Sequence, residues 1–472
     1  LNDDEPKVAG VKRHFCFWPL FFFVASALAQ ATPKSEPTLL ALTNVTVIDT
    51  TGSRSGQRAT VIIIGNRIAE IAEPDKVAIP SGAQTVDGTG KYLMPGLWDM
   101  HMHLSLVGET AFPLLIANGV TGVRDMGGDL DQIDQWREQI AKGTRVGPRI
   151  IRSGPILDGP RTEEGKYRLT VNNAAEARQA VESLKKRGVD FIKVYHFLSR
   201  DSYFAVADEA KKQKIPFAGH IPNGVSPSEA SHAGQRSLEH TSVLLQALIA
   251  LEDKKDRNQK QLTAEAFDKL TGEKGTALFK AVAKNGTWHT PTLVVSQSFL
   301  LRPEMAAKPD DRRKYIAAIT KEHWEKNNPV PQNVSAEAMA ERKEALNRLF
   351  EVLGTMRRAG ISMLAGTDPP TRDVFPGFSL HDELGLLVQA GLTPLEAIQA
   401  ATLNAAKCLG SSDTYGTIEK GKTADLVLLE ADPLTDIANT RKIAAVIVAG
   451  KYLPKAALEE MLAETEAAVK TK

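Results

Sequence analysis

Side chains able to hold a metal ion recur in this chain at the ends of short apolar runs. The first two are His101 and His103, in Tyr92-Leu-Met-Pro-Gly-Leu-Trp-Asp-Met-His-Met-His103. Alternate side chains of an extended chain share a face, so the two imidazoles project the same way and can grip one divalent cation. A bare His-x-His pair is equally what two ordinary histidines look like, so the remaining ligands decide. Four more candidates follow: Lys193 in Asp190-Phe-Ile-Lys-Val-Tyr195, His220 after Ala218-Gly219, His240 after Leu238-Glu239, and Asp368 after Ala365-Gly-Thr. Singly, His220 or His240 reads as a core or surface histidine and Asp368 as a turn residue before Pro369-Pro370. Lys193 reads as a strand-end lysine, yet Phe191, Ile192 and Val194 predict a buried setting in which a charged amine is costly. Six such groups, each closing an apolar run, point to metal-assisted hydrolysis.

The elements that must position them are strands. Apolar runs at 93–100, 120–124, 149–153, 191–195, 215–219, 237–239, 288–294 and 361–365 alternate with helical patterns such as 174–187 and 202–214. Eight strands alternating with helices are what a closed parallel (β/α)8 TIM-type barrel needs, and its C-terminal strand ends converge on one mouth. Before it, residues 39–90 carry short β patterns with a hairpin signal at Gly65-Asn66, and read as a small antiparallel sheet. After it, 416–418, 424–429 and 443–449 return to β patterning. The expected organisation is therefore α/β, with a barrel at 91–408 and a small discontinuous β-sandwich built from both chain ends (39–90 and 409–454). A polar helix follows over 455–472. A helix is expected from Thr393 through Lys407. An irregular, charge-rich insertion at 296–331 reads as a lid over the barrel mouth or as a solvated surface excursion.

The physical case for a two-metal site follows from the donor set. A neutral, desolvated lysine amine can capture carbon dioxide, and the carbamate is an anionic oxygen ligand for two cations. Imidazole and carboxylate donors suit zinc, with manganese, cobalt and iron as alternatives. Two such ions acidify a shared water and polarise a carbonyl. Asp368 can orient that water, take its proton and deliver it to the leaving amine.

Residues 39–452 resemble the metal-dependent amidohydrolase superfamily. Pro95-Gly-Leu-Trp-Asp-Met-His-Met-His103 is similar to its opening motif, Gly119-Val-Thr-Gly-Val-Arg-Asp125 to its second strand, and Gly421-Lys-Thr-Ala-Asp-Leu-Val-Leu428 to its closing one. The resemblance implies that His101, His103 and Asp368 hold one metal and His220 and His240 the other, with carboxylated Lys193 bridging both. It implies a small-molecule substrate and hydrolysis of a carbon–nitrogen bond, through a metal-bridging hydroxide with Asp368 as general acid and base. Twenty residues separate His220 from His240, a spacing that resembles the prolidase-like and imidazolonepropionase-like branch. No acid follows His220 in Ile-Pro-Asn-Gly-Val225, which counts against deamination. A dipeptide or N-acyl amino acid is the expected substrate, with a cyclic amide or lactone as the alternative; a non-catalytic binding member would have lost ligands that this chain keeps. Tyr195 resembles a substrate-contacting tyrosine of the branch. His196 and His289 are weaker candidates, and Arg161 could pair a substrate carboxylate or be a surface arginine. His381 reads as structural.

Composition adds bounds. A formal charge of +1 across 472 residues gives no electrostatic argument for nucleic acid. Lys7, Lys12 and Arg13 precede an apolar run at 15–29 ending Ala-Leu-Ala29, which reads as a signal peptide cleaved before Gln30, with an uncleaved anchor as the alternative. Cleavage implies a secreted or periplasmic protein without a stable membrane anchor, a tether at 30–38, and a single remaining cysteine, Cys408. A homo-oligomer is compatible with all of this.

Overall fold

The computed structural model describes residues 38–52, 56–160, 167–252 and 263–470, all within the compact unit Thr38–Lys472. The signal-peptide reading, most of the tether, and Arg161 lie outside the described residues.

Seventeen strands are assigned among the described residues. Five come first: β1 (Leu39–Val47), β2 (Gln57–Ile64), β3 (Arg67–Ala72), β4 (Gln84–Asp87) and β5 (Tyr92–Pro95). The central ones are β6 (Leu97–Met102), β7 (Val120–Asp125), β8 (Arg149–Arg152), β9 (Ile156–Asp158), β10 (Arg168–Thr170), β11 (Ile192–Val194), β12 (Phe217–Gly219), β13 (Ser237–Glu239) and β14 (Trp288–Thr290). The last three are β15 (Leu426–Leu429), β16 (Ile443–Val448) and β17 (Lys451–Pro454).

Strands from both chain ends share one eight-stranded sheet, ordered β17-β16-β15-β5-β1-β2-β3, with β4 also on β1. The β2–β3 pair is antiparallel and turns at Gly65-Asn66. The sheet is not wholly antiparallel as expected, because β1 pairs parallel with both β4 and β5. Its apolar side chains, among them Leu42, Val61, Ile63, Leu426 and Ile447, close a core of their own. Ile418 joins that core, yet residues 416–418 form no strand.

The central strands form two parallel sheets, β6-β7-β8 and β10-β9-β11-β12-β13-β14. Every residue of β6 and β7 is buried, as strands covered on both faces require. The expected run 93–100 is two strands in two sheets, β5 and β6, divided at Gly96. The expected strand 361–365 is a single bridge, Met363 to His289. Its backbone still hydrogen-bonds both ways: Leu364 N–H to His289 O at 2.8 Å, and Met100 N–H to Ala365 O at 2.9 Å. On the other flank, Asp190 N–H donates to Arg152 O at 2.9 Å. The architecture is mixed α/β, with sheets mostly parallel and partly antiparallel.

Helices punctuate the parallel strands with recognisable stops and starts. Asn173, Ser199 and Ser226 cap the helices Ala174–Lys186, Arg200–Lys212 and Pro227–His232, the last through a full capping box with Glu229. The expected strand 288–294 ends at Thr290, and Leu293–Leu300 is helical. Residues 296–331 are not irregular: they carry the helices Arg302–Ala306 and Ala318–Asn327 and a 3-10 turn, Asp311–Tyr315. The helix expected through 407 is two, Pro394–Ala400 and Leu403–Cys408. A final helix, Lys455–Lys470, is packed through Leu458 against Ile116 and Val448. No described helix is long and apolar enough to cross a membrane.

Candidate metal centre

His101 lies inside β6, one residue before its end, and His103 begins the turn into the helix Leu104–Val107. Asp99, two residues upstream on the same strand, is fully enclosed and accepts the backbone N–H groups of His101 (3.1 Å) and Thr367 (3.0 Å) and the Thr367 hydroxyl. Burial pushes the Asp99 carboxyl up to about 7 against those three bonds. The clasp ties β6 to the 366–368 turn, and Asp368 N–H completes it by donating to His101 O at 2.7 Å. Asp368 therefore arrives beside both histidines, its Oδ1 lying 3.3 Å from His103 Nε2 and 3.7 Å from His101 Nε2. The donor atoms of His101, His103 and Asp368 all lie within 4.8 Å of one another, a spacing that can hold a metal ion.

Each imidazole is oriented through its other nitrogen. His101 Nδ1 is 2.9 Å from Glu239 Oε2, and His103 Nδ1 is 3.1 Å from Gly127 O, so in the neutral ring Nδ1–H donates and the Nε2 lone pair faces the cluster with Asp368. Burial, then the Lys193 charge, hold His101 down to about 4, so its ring is neutral and competent to ligate.

His220 and His240 lie on the other side. The ring centroids of His101 and His240 are 4.4 Å apart and those of His220 and His240 4.6 Å. His240 Nδ1 is 3.9 Å from Asp368 Oδ2 and 2.8 Å from the Thr292 hydroxyl. Burial, followed by neighbouring positive charge, keeps both imidazoles well below their ordinary value and therefore neutral. Lys193 is fully enclosed, and its Nζ has no hydrogen-bond partner among the described residues. Burial lowers its ammonium to about 8, against the pull of Glu239 and Asp368. An orphaned buried amine that interacts electrostatically with His101, His220, His240 and Asp368 is what a carbamate ligand would relieve, so the residues present fit divalent cations.

The backbone reaches this arrangement through strain and close approach. His240, Thr292 and Asp368 have φ of 65°, 47° and 61°, in the left-handed region that side chains other than glycine rarely adopt. Gly219, at φ 138°, leaves no space for a Cβ because the Val194 carbonyl fills it, so β12 runs hard against β11 next to Lys193.

The proposed substrate contacts are distributed unevenly. Tyr195 lines a cavity of about 750 Å³ together with His196, His220, His240 and Asp368. Its ring lies 4.1 Å from that of His220, and the Arg168 guanidinium sits over it at 4.4 Å. His196 Nε2 is 2.5 Å from His220 Nδ1. His289 is enclosed, bonds Leu238 O through Nδ1 at 2.9 Å, and does not line the cavity. His381 bonds Thr440 and the Asn118 carbonyl, away from the site.

Glu239 and Arg124 went unselected in the sequence. Arg124 Nη2 donates to Glu239 Oε1 at 2.8 Å, and Ser237 caps the same oxygen. The available signal was a carboxylate between Leu238 and His240 in a strand otherwise buried, since a buried charge demands a partner.

Comparisons with known proteins give a family and a shared fold. The amidohydrolase family model matches residues 92–453. An ochratoxinase from Aspergillus niger is 26% identical over 407 residues, covering 73% of this chain and 71% of its own. An imidazolonepropionase from Vibrio campbellii is 24% identical over 85% of this chain and 92% of its own. The crystal structure of a Xaa-Pro dipeptidase with methionine in its active site shares the fold, with a TM-score of 0.65 at 20% identity, over 88% of this chain and all of that one.

Proposed function

Since the chain belongs to the amidohydrolase family, whose members act as hydrolases on carbon–nitrogen bonds, we propose that it hydrolyses the amide bond of a dipeptide or N-acyl amino acid at a two-metal site. The observation that carries the reading is the enclosed, partnerless Lys193 amine beside the His101–His103–Asp368 donor cluster. In this reading His101, His103 and Asp368 would hold one divalent ion, His220 and His240 would hold a second, and Lys193, carboxylated by carbon dioxide, would serve as a ligand to both; zinc suits the donor set. The two parallel sheets, joined by hydrogen bonds along both flanks, read as a (β/α)8 barrel with the ligands at its C-terminal mouth.

Divalent ions bound there supply an acidified water and polarise the scissile carbonyl. The remaining work belongs to the chain's own groups. Asp368, held by the Asp99 clasp, orients the water, accepts its proton and returns it to the leaving nitrogen. Glu239 and Arg124 keep His101 in one tautomer. Tyr195 and the cavity walls hold the substrate and limit water around it.

A cyclic amide or lactone is the second reading, favoured by the imidazolonepropionase likeness over 85% of the chain. A panel of dipeptides, N-acyl amino acids, cyclic amides and lactones, assayed with metal-loaded protein, separates the two. Turnover confined to the ring substrates would replace the first reading with the second. A metal-free protein inert to the whole panel would leave the non-catalytic alternative.

A further inference from the structure

The cavity has a wall that the hydrolytic reading does not use. Arg342, Ala345 and Leu349 stand at i, i+3 and i+7 of the helix Ala336–Arg358, share one face, and line it. Leu245, Phe267, Val295, Phe299 and Leu300 add apolar surface to the same cavity. Phe299 is 50% exposed, a large ring left open to solvent at the cavity. Arg342 is the one lysine or arginine among the described lining residues.

Unlike three of the other four cations on its helix, Arg342 has no anion among the described residues. On the same helix Lys343 pairs with Glu304 at 2.6 Å, Arg348 with Glu351 at 2.6 Å, and Arg357 with Glu396 at 2.7 Å. Arg342 has no carboxylate within ion-pair distance among the described residues, and its Nη1 reaches only the Leu300 carbonyl at 3.5 Å. Glu341, the adjacent lining residue, is exposed and forms no ion pair with it. A half-buried guanidinium beside an apolar wall, without a protein counter-ion, matches a ligand carboxylate in charge and in planar geometry.

We propose that Arg342 is a specificity-determining residue that binds the free carboxylate of the substrate, and that the substrate carries a bulky apolar group seated against Leu349, Phe267 and Phe299. The proposal rests on the hydrolase reading and narrows it to apolar N-acyl amino acids and dipeptides with a free C-terminus. In the reaction the amide C–N bond breaks, the water oxygen joins the acyl carbon, and the proton passes to the leaving nitrogen. The carboxylate at Arg342 is unchanged throughout. This assigns to Arg342 the task that the sequence suggested for Arg161.

The experiment compares N-benzoylphenylalanine with its carboxamide-capped counterpart on the metal-loaded protein. Wild type is expected to favour the free acid in kcat/KM by at least ~10-fold, the size of a charge-assisted bond. R342Q should bring that ratio close to one and R342K should keep part of it, while K343Q at the outward neighbour should leave it intact. In parallel, calorimetry follows 3-phenylpropionate, which cannot be hydrolysed, and 3-phenylpropionamide. R342Q should weaken only the acid. An acid preference that survives R342Q, or one that collapses in R161Q instead, overturns the proposal while leaving hydrolysis standing. Binding of 3-phenylpropionate that depends on Arg342, with no amide turned over, supports the subsite and sinks the hydrolase reading.

Discussion

The Nδ1 atom of His101 lies 2.9 Å from a carboxylate oxygen of Glu239, with both side chains closed off from solvent. The other carboxylate oxygen takes Arg124 Nη2 at 2.8 Å, so one ionic hydrogen-bond chain links β7, β13 and β6. Its effect is to make His101 Nδ1 the donor and to leave Nε2, which has no hydrogen-bond partner among the described residues, facing His103 and Asp368. Replacing Glu239 by Gln preserves the shape and removes the charge. Metal affinity should then fall about 10- to 100-fold, the usual cost of losing a partner of a ligating histidine. Competition against a chelator measures it, and an unchanged affinity would contradict the role.

Removing Arg124 asks a different question of the same chain of bonds. Arg124→Met leaves the buried Glu239 carboxylate without its cation, and breaking a buried pair in this way costs roughly 3–5 kcal/mol. Thermal and denaturant unfolding of the metal-free protein should both show it, whereas a stability near wild type would mean that Glu239 is satisfied by His101 and Ser237 alone.

Lys193→Ala should lose both bound metal and turnover, because the carbamate oxygens that would join the two halves of the site go with the amine. Short carboxylic acids in the buffer should restore part of the activity by supplying that oxygen. Full activity of the variant without added acid would remove Lys193 from the site.

Gly219 is a geometric prediction. A methyl group there meets the Val194 carbonyl and approaches the Lys193 stem at 3.0 Å, on a backbone at φ 138°. Gly219→Ala should destabilise by more than about 1 kcal/mol, since alanine cannot take that conformation without strain. An unaltered melting temperature would show that β11 and β12 can separate freely.

Glu383 contributes to the pH dependence of stability. One carboxylate oxygen accepts the Val294 N–H at 2.9 Å and the other has no partner, and burial pushes the carboxyl up to about 8. The folded chain thus binds this proton more tightly than the unfolded one. Its contribution is whole below about pH 4.5 and is lost progressively as the pH rises to about 8, by an amount of the order of a few kcal/mol. Glu383→Gln should flatten that decline between pH 5 and 8. Equal slopes in variant and wild type would rule the group out.

Much of the candidate site was legible because each candidate ligand closes an apolar run: Lys193 after Phe191-Ile192, His220 after Phe217-Ala-Gly, Asp368 after Leu364-Ala-Gly-Thr. Orientation was not legible. Glu239 alternates to the face opposite His240, and nothing local shows that it meets His101, 138 positions away. The run 288–294 looked like one strand because Leu293 and Val294 extend it, but Pro291 removes a ladder donor and Thr292 turns left-handed, so a helix begins. Residues 361–365 are apolar enough for a strand, yet only Met363 makes a bridge, while Ile361 and Ala365 donate outside the sheets, to Met356 O and Ala400 O. The hairpin at Gly65-Asn66 was readable because two-residue turns of that composition have few alternatives. The signal-peptide reading stands as a proposal, which N-terminal sequencing of the mature protein decides.

Metal content measured together with turnover decides whether the site is a two-metal hydrolytic centre. Two divalent ions per chain are expected in the wild type, with amide hydrolysis that a chelator abolishes and added metal restores, and loss of hydrolysis in Asp368→Asn. A protein that hydrolyses the same substrates at full rate with no bound metal would contradict it.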